Sequence, residues 1–168
     1  INKTKYFLKD RVGFMQQAAK EIKKAVKKHG AGNIAIRLNG TTDIPFENIP
    51  FEFEGVVYSN IMEIFPDVQF YDYTKVFNRF TKKLPANYDL TFSRSEDERN
   101  QTEAEALLIL GHNVAAVFKN QLPAFYGGYQ IIDGDETDLT FLHPKGVILG
   151  LKAKGKAKKD ISGFVINN

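Results

Sequence analysis

Apolar residues recur at helical spacing near the start of the chain and then in short runs separated by turn residues. Phe14, Ala18, Ile22, Ala25 and Val26, with Lys and Glu between them, predict an amphipathic helix over residues 3–29, broken near Asp10–Gly13. Asp10 is placed to cap the longer part, and His29-Gly30 to stop it. Asn33–Asn39, bounded by Gly32 and Gly40, reads as a strand, and the segment after it, Gly40 to Glu47, as a polar loop. Tyr58–Phe65 reads as a helix closed by Pro66-Asp67, and Val68–Tyr73 as a second strand. Thr74–Lys83 reads as a short, basic, helical connection. A third strand is expected at Tyr88–Ser93, a helix at Glu96–Leu110 ending on Gly111, and a fourth strand at Asn113–Phe118.

Strands alternating with helical stretches are the βαβ pattern of a parallel sheet. After Phe118 the spacing shortens. Tyr129–Ile132, Leu139–Leu142 and Val147–Leu151 read as strands too close together for helical crossovers, and Phe164–Ile166 as an edge strand. The expected fold is α/β: a mostly parallel sheet of βα units, partial or irregular and (β/α) barrel-like, with a β-rich C-terminal part.

Length, composition and charge change this picture in four respects. At 168 residues the chain suits one domain, 1–168, or the C-terminal portion of a longer protein, since it opens on Ile rather than Met. It has no Cys, which rules out disulfides and thiolate or iron–sulfur ligation within these residues. No apolar run approaches the roughly 20 residues of a membrane span, and no secretory signal follows the opening residues, so no membrane partner is expected. The net charge of +3 is mild, with Lys concentrated in residues 20–28 and 152–159. The first of these stretches reads as the solvated face of the N-terminal helix.

Candidate chemistry lies just past the strands, where α/β folds usually place their sites. The ends deliver Arg37, Asn39 and Asp43; then Asp72, Tyr73 and Lys75; then Ser93 and Arg94. Two opposed clusters follow: an acidic one containing Asp133 and Asp135, and a basic one containing Lys152, Lys154 and Lys156. If the strands carrying them are parallel neighbours, both clusters leave the same sheet edge. Carboxylates at alternating turn positions suit a hard divalent cation, although Asp138 and Pro144 stand where an EF-hand needs Gly and Glu. A solvated Asx turn is the plain alternative. Lys152-Ala-Lys154-Gly-Lys156 suits a phosphate but lacks Walker spacing, and the two clusters could equally pair with each other. His29, His112 and His143 have no zinc spacing.

The strings Ile36-Arg-Leu-Asn-Gly-Thr-Thr-Asp-Ile, Phe65-Pro-Asp-Val-Gln-Phe-Tyr-Asp-Tyr-Thr-Lys and Leu90-Thr-Phe-Ser-Arg-Ser-Glu resemble a family of largely uncharacterised phage and plasmid proteins. Ile132-Asp-Gly-Asp, Gly150-Leu-Lys-Ala-Lys-Gly-Lys-Ala and Asp160-Ile-Ser-Gly-Phe-Val continue the likeness. That family looks like a distant relative of radical-SAM-type barrels, with a Cys-rich segment that has no counterpart here. The resemblance implies phage or mobile-element origin and action in the cytoplasm of a bacterial host, and it supplies no reaction.

Three functions compete, with the first the leading reading and the others its alternatives. In the first, Asp43, Asp72, Tyr73, Asp133 and Asp135 form a catalytic or metal-handling set. Arg37, Asn39, Lys75, Ser93, Arg94, Lys152, Lys154 and Lys156 then bind a phosphate-bearing ligand. In the second, the chain is a nucleic-acid-binding accessory protein of phage DNA metabolism, contacting a strand through Lys152–Lys159 and exposed aromatic rings. In the third it is a structural or interaction protein.

Overall fold

The computed structural model describes residues 2–168. In chain order it contains α1 (Asn2–Lys9), α2 (Arg11–His29), β1 (Ala35–Ile36), β2 (Phe51–Phe53), β3 (Val56–Tyr58), α3 (Ile61–Ile64), β4 (Gln69–Thr74) and β5 (Tyr88–Ser93). Then come α4 (Glu98–Ile109), β6 (Val114–Phe118), β7 (Phe125–Tyr126), β8 (Tyr129–Asp133), β9 (Ile148–Lys152) and β10 (Val165–Ile166). The main sheet runs β1-β4-β5-β6-β9-β8-β7, with β10 also paired to β6, while β2 and β3 form a separate hairpin. Of the described strand pairs in the main sheet, all except β7–β8 are parallel. The fold is therefore α/β with a mostly parallel sheet and a strand-rich C-terminal part, as the spacing predicts. No described helix is long and apolar enough to cross a membrane. By contacts the chain divides into two compact units, residues 2–71 with Lys82–Asp89, and Asp72–Thr81 with Leu90–Asn168.

In the first unit the predicted helix breaks at Asp10, whose Oδ1 accepts from the Gly13 N–H at 2.8 Å and caps α2. A Cβ at Gly13 would fall 2.2 Å from that carboxylate, so glycine lets the cap close. Met15, Ala19 and Ile22 of α2 are buried, and the rings of Phe7, Phe14 and Phe46 pack together at centroid distances of 5.4 to 6.2 Å. The sequence reading misses the β2–β3 hairpin here. Phe51-Glu-Phe53 alternates buried and exposed, and Glu54 and Gly55 take positive φ (52° and 82°), the two-residue turn that matches strand twist. Tyr58 therefore ends a strand, and the helix expected over Tyr58–Phe65 shrinks to the one turn of α3, capped by Asn60. The strand expected over Asn33–Asn39 shrinks to Ala35–Ile36. Ala31–Asn33 forms a 3-10 turn, and the buried Asn39 side chain bends the following loop by donating to Ile44 O and accepting from Thr42 Oγ1 and Ile44 N.

In the second unit β6 is the central strand. β9 pairs along its whole length, from Val114↔Ile148 to Phe118↔Lys152. Its other edge is shared: β5 pairs with Val114 and Ala115, and β10 with Val117 and Phe118. α4, capped by Asp97 accepting from Asn100 N at 2.9 Å, packs its Leu107 and Leu108 with Phe92, Val114, Ala116, Phe118, Ile131 and Ile148. Ala115, Val147 and Leu149 form a second buried cluster, with Tyr73, Ile132 and Leu151 against it. Gly150 is needed where Leu122 crosses β9, since a Cβ there would lie 2.7 Å from Ile131 and 2.9 Å from Leu122. Two expectations are corrected. Leu139–Leu142 is no strand but a 3-10 turn at Thr140–Leu142, begun by Thr137 Oγ1 accepting from Leu139 N. The Thr74–Lys83 connection is helical only as a 3-10 turn at Phe77–Phe80, closed by Thr81 Oγ1 donating to Asn78 O.

Candidate functional site

Parallel pairing fixes where the charged strand ends of the second unit lie. β8 and β9 are parallel neighbours in register Asp133↔Gly150, and β5, β6 and β10 run the same way. Ser93, Lys119, Asp133 and Lys152 consequently leave one edge of the sheet, and the sequence-predicted acidic and basic clusters do meet.

They meet by pairing. Lys152 Nζ lies 3.0 Å from Asp133 Oδ2, and Lys154 Nζ lies 2.7 Å from Asp135 Oδ1. Asp135 Oδ2 also accepts from the Lys152 backbone N–H at 2.9 Å, and Asp133 Oδ1 from the Asp135 N–H at 2.9 Å. Each carboxylate thus spends one oxygen on a lysine and the other on an amide. The Lys152 ammonium, then the Asp135 amide, hold the Asp133 carboxyl below its ordinary 3.8; Lys154, then the Lys152 amide, do the same for Asp135. The Asp133 bond likewise raises the Lys152 ammonium above its ordinary 10.5.

Carboxyls depressed on folding contribute stability that is complete above their unfolded value and lost as pH falls through the lower native one. The Lys152 contribution is complete below its unfolded value and lost as pH rises through the raised native one. The Asp133→Asn, Asp135→Asn double variant should therefore unfold at a lower denaturant midpoint than the wild type at pH 7. The two should converge as pH drops below about 3.8, the ordinary carboxylate value. The gap is small, because both lysines are more than half exposed. Urea titrations across pH measure it.

Arg94, expected to grip an anion, instead holds the chain's own C-terminal segment. Its Nη1 donates to Gly163 O at 3.0 Å and Phe164 O at 3.3 Å. Lys75 Nζ sits 5.6 Å from the centre of the Phe164 ring. Asp160 shapes that segment by accepting from Ser162 Oγ at 2.7 Å and Val165 N at 3.0 Å, bonds that keep its carboxyl below the ordinary value. Asn168 closes on Asn120 and Gln121, which follow β6. The sequence carries a signal for this strap in Asp160-Ile-Ser-Gly, a turn-forming string ahead of an apolar run. Its partner, Arg94, lies far off in sequence and carries none.

Ser93 offers its carbonyl to the Asn100 side chain at 3.3 Å. Asp72 is fully buried on β4, and Tyr73 packs into the Ala115–Leu149 cluster. In the first unit Arg37 Nε donates to Asn39 O at 3.2 Å, Asn39 organises its own loop, and Asp43 is exposed. Among the described residues no group of three or more His, Asp or Glu side chains is placed to hold a metal ion. Lys156 lies in the 3-10 turn Gly155–Lys159, whose Lys156, Lys158 and Lys159 are all exposed. Two buried polar residues that shape this unit escaped the sequence reading. Asn113 donates to Pro144 O and accepts from Val147 N, and Asn100 accepts from Ser95 N.

Comparison with protein families matches the Gene product 88 model over residues 1–168. The chain belongs to the Gene product 88 family. This supports the phage origin that the sequence resemblance implies, and it does not carry the likeness to radical-SAM barrels. No curated protein and no solved structure matches the chain.

Proposed function

We propose that this phage protein binds nucleic acid through the basic strand-end surface of its second unit. One observation carries the reading: Lys152 and Lys154 are neutralised by Asp133 and Asp135, whereas Lys156, Lys158 and Lys159 stand exposed on one short turn with no ion pair among the described residues. Exposed cations clustered in this way suit an extended polyanion, whose phosphates release counterions on contact. A compact phosphate ligand held in a pocket fits less well. Arg94, Lys152 and Lys154, the groups to grip it, already hold carbonyls and carboxylates of the same chain. That mutual pairing favours, as a second reading, a protein whose charged loops are structural.

The test is anisotropy of a fluorescein-labelled 20-nucleotide DNA, single- and double-stranded, titrated at graded KCl. Three phosphate contacts predict a slope of log K against log salt of roughly −2 to −3. Replacing Lys156, Lys158 and Lys159 together by Gln should remove most of that slope while leaving the thermal midpoint nearly unchanged. An absence of binding to either DNA at low salt refutes the reading. Stoichiometric, salt-insensitive uptake of inorganic phosphate returns the site to a small ligand.

A further inference from the structure

Resting on the nucleic-acid reading, we infer that the preferred partner is a single strand, whose unpaired bases stack on an aromatic ledge formed by Phe125 and Tyr126. These two residues form β7, at the end of the sheet path, and are 65% and 40% exposed, an unusual surface for adjacent large rings. The ledge is rigid. β7 and β8 are joined through Gly127 and Gly128, both at positive φ, a tight turn that fixes the register Tyr126↔Tyr129. The Tyr126 ring is braced edge-on against buried Phe118, 5.6 Å away and at 83°.

Phe118 also ties the ledge to the lysines. It ends β6 directly before the exposed Lys119, it pairs with Lys152, and its carbonyl accepts from Ala153 N at 2.9 Å, two residues before the lysine-bearing turn begins. Aromatic faces and cations thus diverge from one buried residue. A groove that lets bases stack beside a basic track for the backbone is how single strands are held without sequence preference. A duplex keeps its bases stacked inside and offers such rings nothing but phosphate.

Beside Tyr126 a groove of about 350 Å³ runs between α4 and the hairpin, with Tyr129, Leu108 and Ile109 in its walls and Glu105 at its rim. Its size is at the lower end of the range for ligand pockets. Its two charged lining groups, Glu105 and Arg94, offer an acceptor and a donor to the polar edge of a base lying against the apolar walls.

The experiment compares a labelled 20-nucleotide strand with the duplex of the same sequence, using wild type and a Phe125→Ala, Tyr126→Ala variant. The strand should bind at least about tenfold more tightly than the duplex at equal salt. The variant should lose about tenfold or more for the strand, in keeping with stacking losses on alanine substitution. Its salt slope should stay unchanged, since no phosphate contact is removed. Because the chain has no Trp, Phe125→Trp adds a lone reporter that keeps a stacking face, and its emission should be quenched by the strand. Equal affinity for strand and duplex, or no quenching in Phe125→Trp, overturns the ledge while leaving polyanion binding in place. Failure of both nucleic acids to bind at low salt removes the nucleic-acid reading and the ledge with it.

Discussion

Replacing Phe118 by Ala should destabilise the second unit by about 3–5 kcal/mol, the range for a fully buried phenylalanine. Phe118 is 0% exposed and sits among Ala116, Ile131, Ile148 and Ile166. Its backbone lies where β9 and β10 flank β6, so the lost ring leaves a cavity that strands on both sides would have to move to fill. The core is dense and the ladders hold those strands apart, so little relaxation is expected. The cost should appear as a lower urea midpoint with an unchanged slope. Phe118→Leu, which keeps most of the apolar volume, should recover over half of it. A loss below about 1 kcal/mol in Phe118→Ala would mean that the cluster can collapse, contrary to its packing.

The second large effect is at Asn113, 1% exposed. Its Nδ2 donates to Pro144 O at 2.8 Å and its Oδ1 accepts from Val147 N at 3.3 Å, so one side chain pins the connection that delivers the chain into β9. Asn113→Ala leaves a carbonyl and an N–H without their partner in a dry place, at about 1–3 kcal/mol each. A total of roughly 2–6 kcal/mol is expected, together with faster amide hydrogen exchange at Val147. If exchange there is unchanged while stability falls, the loss comes from packing rather than from the two bonds. Asn113→Asp tests the same point with shape kept. It retains an acceptor for Val147 N but presents Pro144 with a second acceptor, and it should be at least as damaging at neutral pH.

How far the sequence could be read follows from which interactions are local. Tyr88–Ser93 was legible to the residue, because an alternating, β-branched and aromatic run bounded by turn residues has one reading. So was the helix break, which an Asp three residues before Gly13 creates by itself. The β2–β3 hairpin was missed because its turn is Glu54-Gly55 rather than Asn-Gly, and because Val57 and Tyr58 continue into the pattern of the next helix. Leu139–Leu142 misled through composition: its apolar residues fall in a 3-10 turn that leaves Leu142 63% exposed.

At the site, the meeting of Asp133 with Lys152 was foreseeable from two parallel runs each ending in charge. That the charges cancel depends on register, Asp133↔Gly150, which no local pattern fixes. Arg94 shows the same limit, since its acceptors at Gly163 and Phe164 belong to a segment far along the chain. Residue type marked the right edge of the sheet; partner identity had to come from the fold.

The shared edge of β6 has a kinetic consequence. Val165 must find Val117, and Ile148 must find Val114, only after long intervening stretches have been looped out. Parallel partners so distant in sequence form late and slowly. Refolding of the second unit should thus be paced by these loop closures, and the bare flank of its central strand is the surface at which newly made chains would stick to one another before the final pairing shields it.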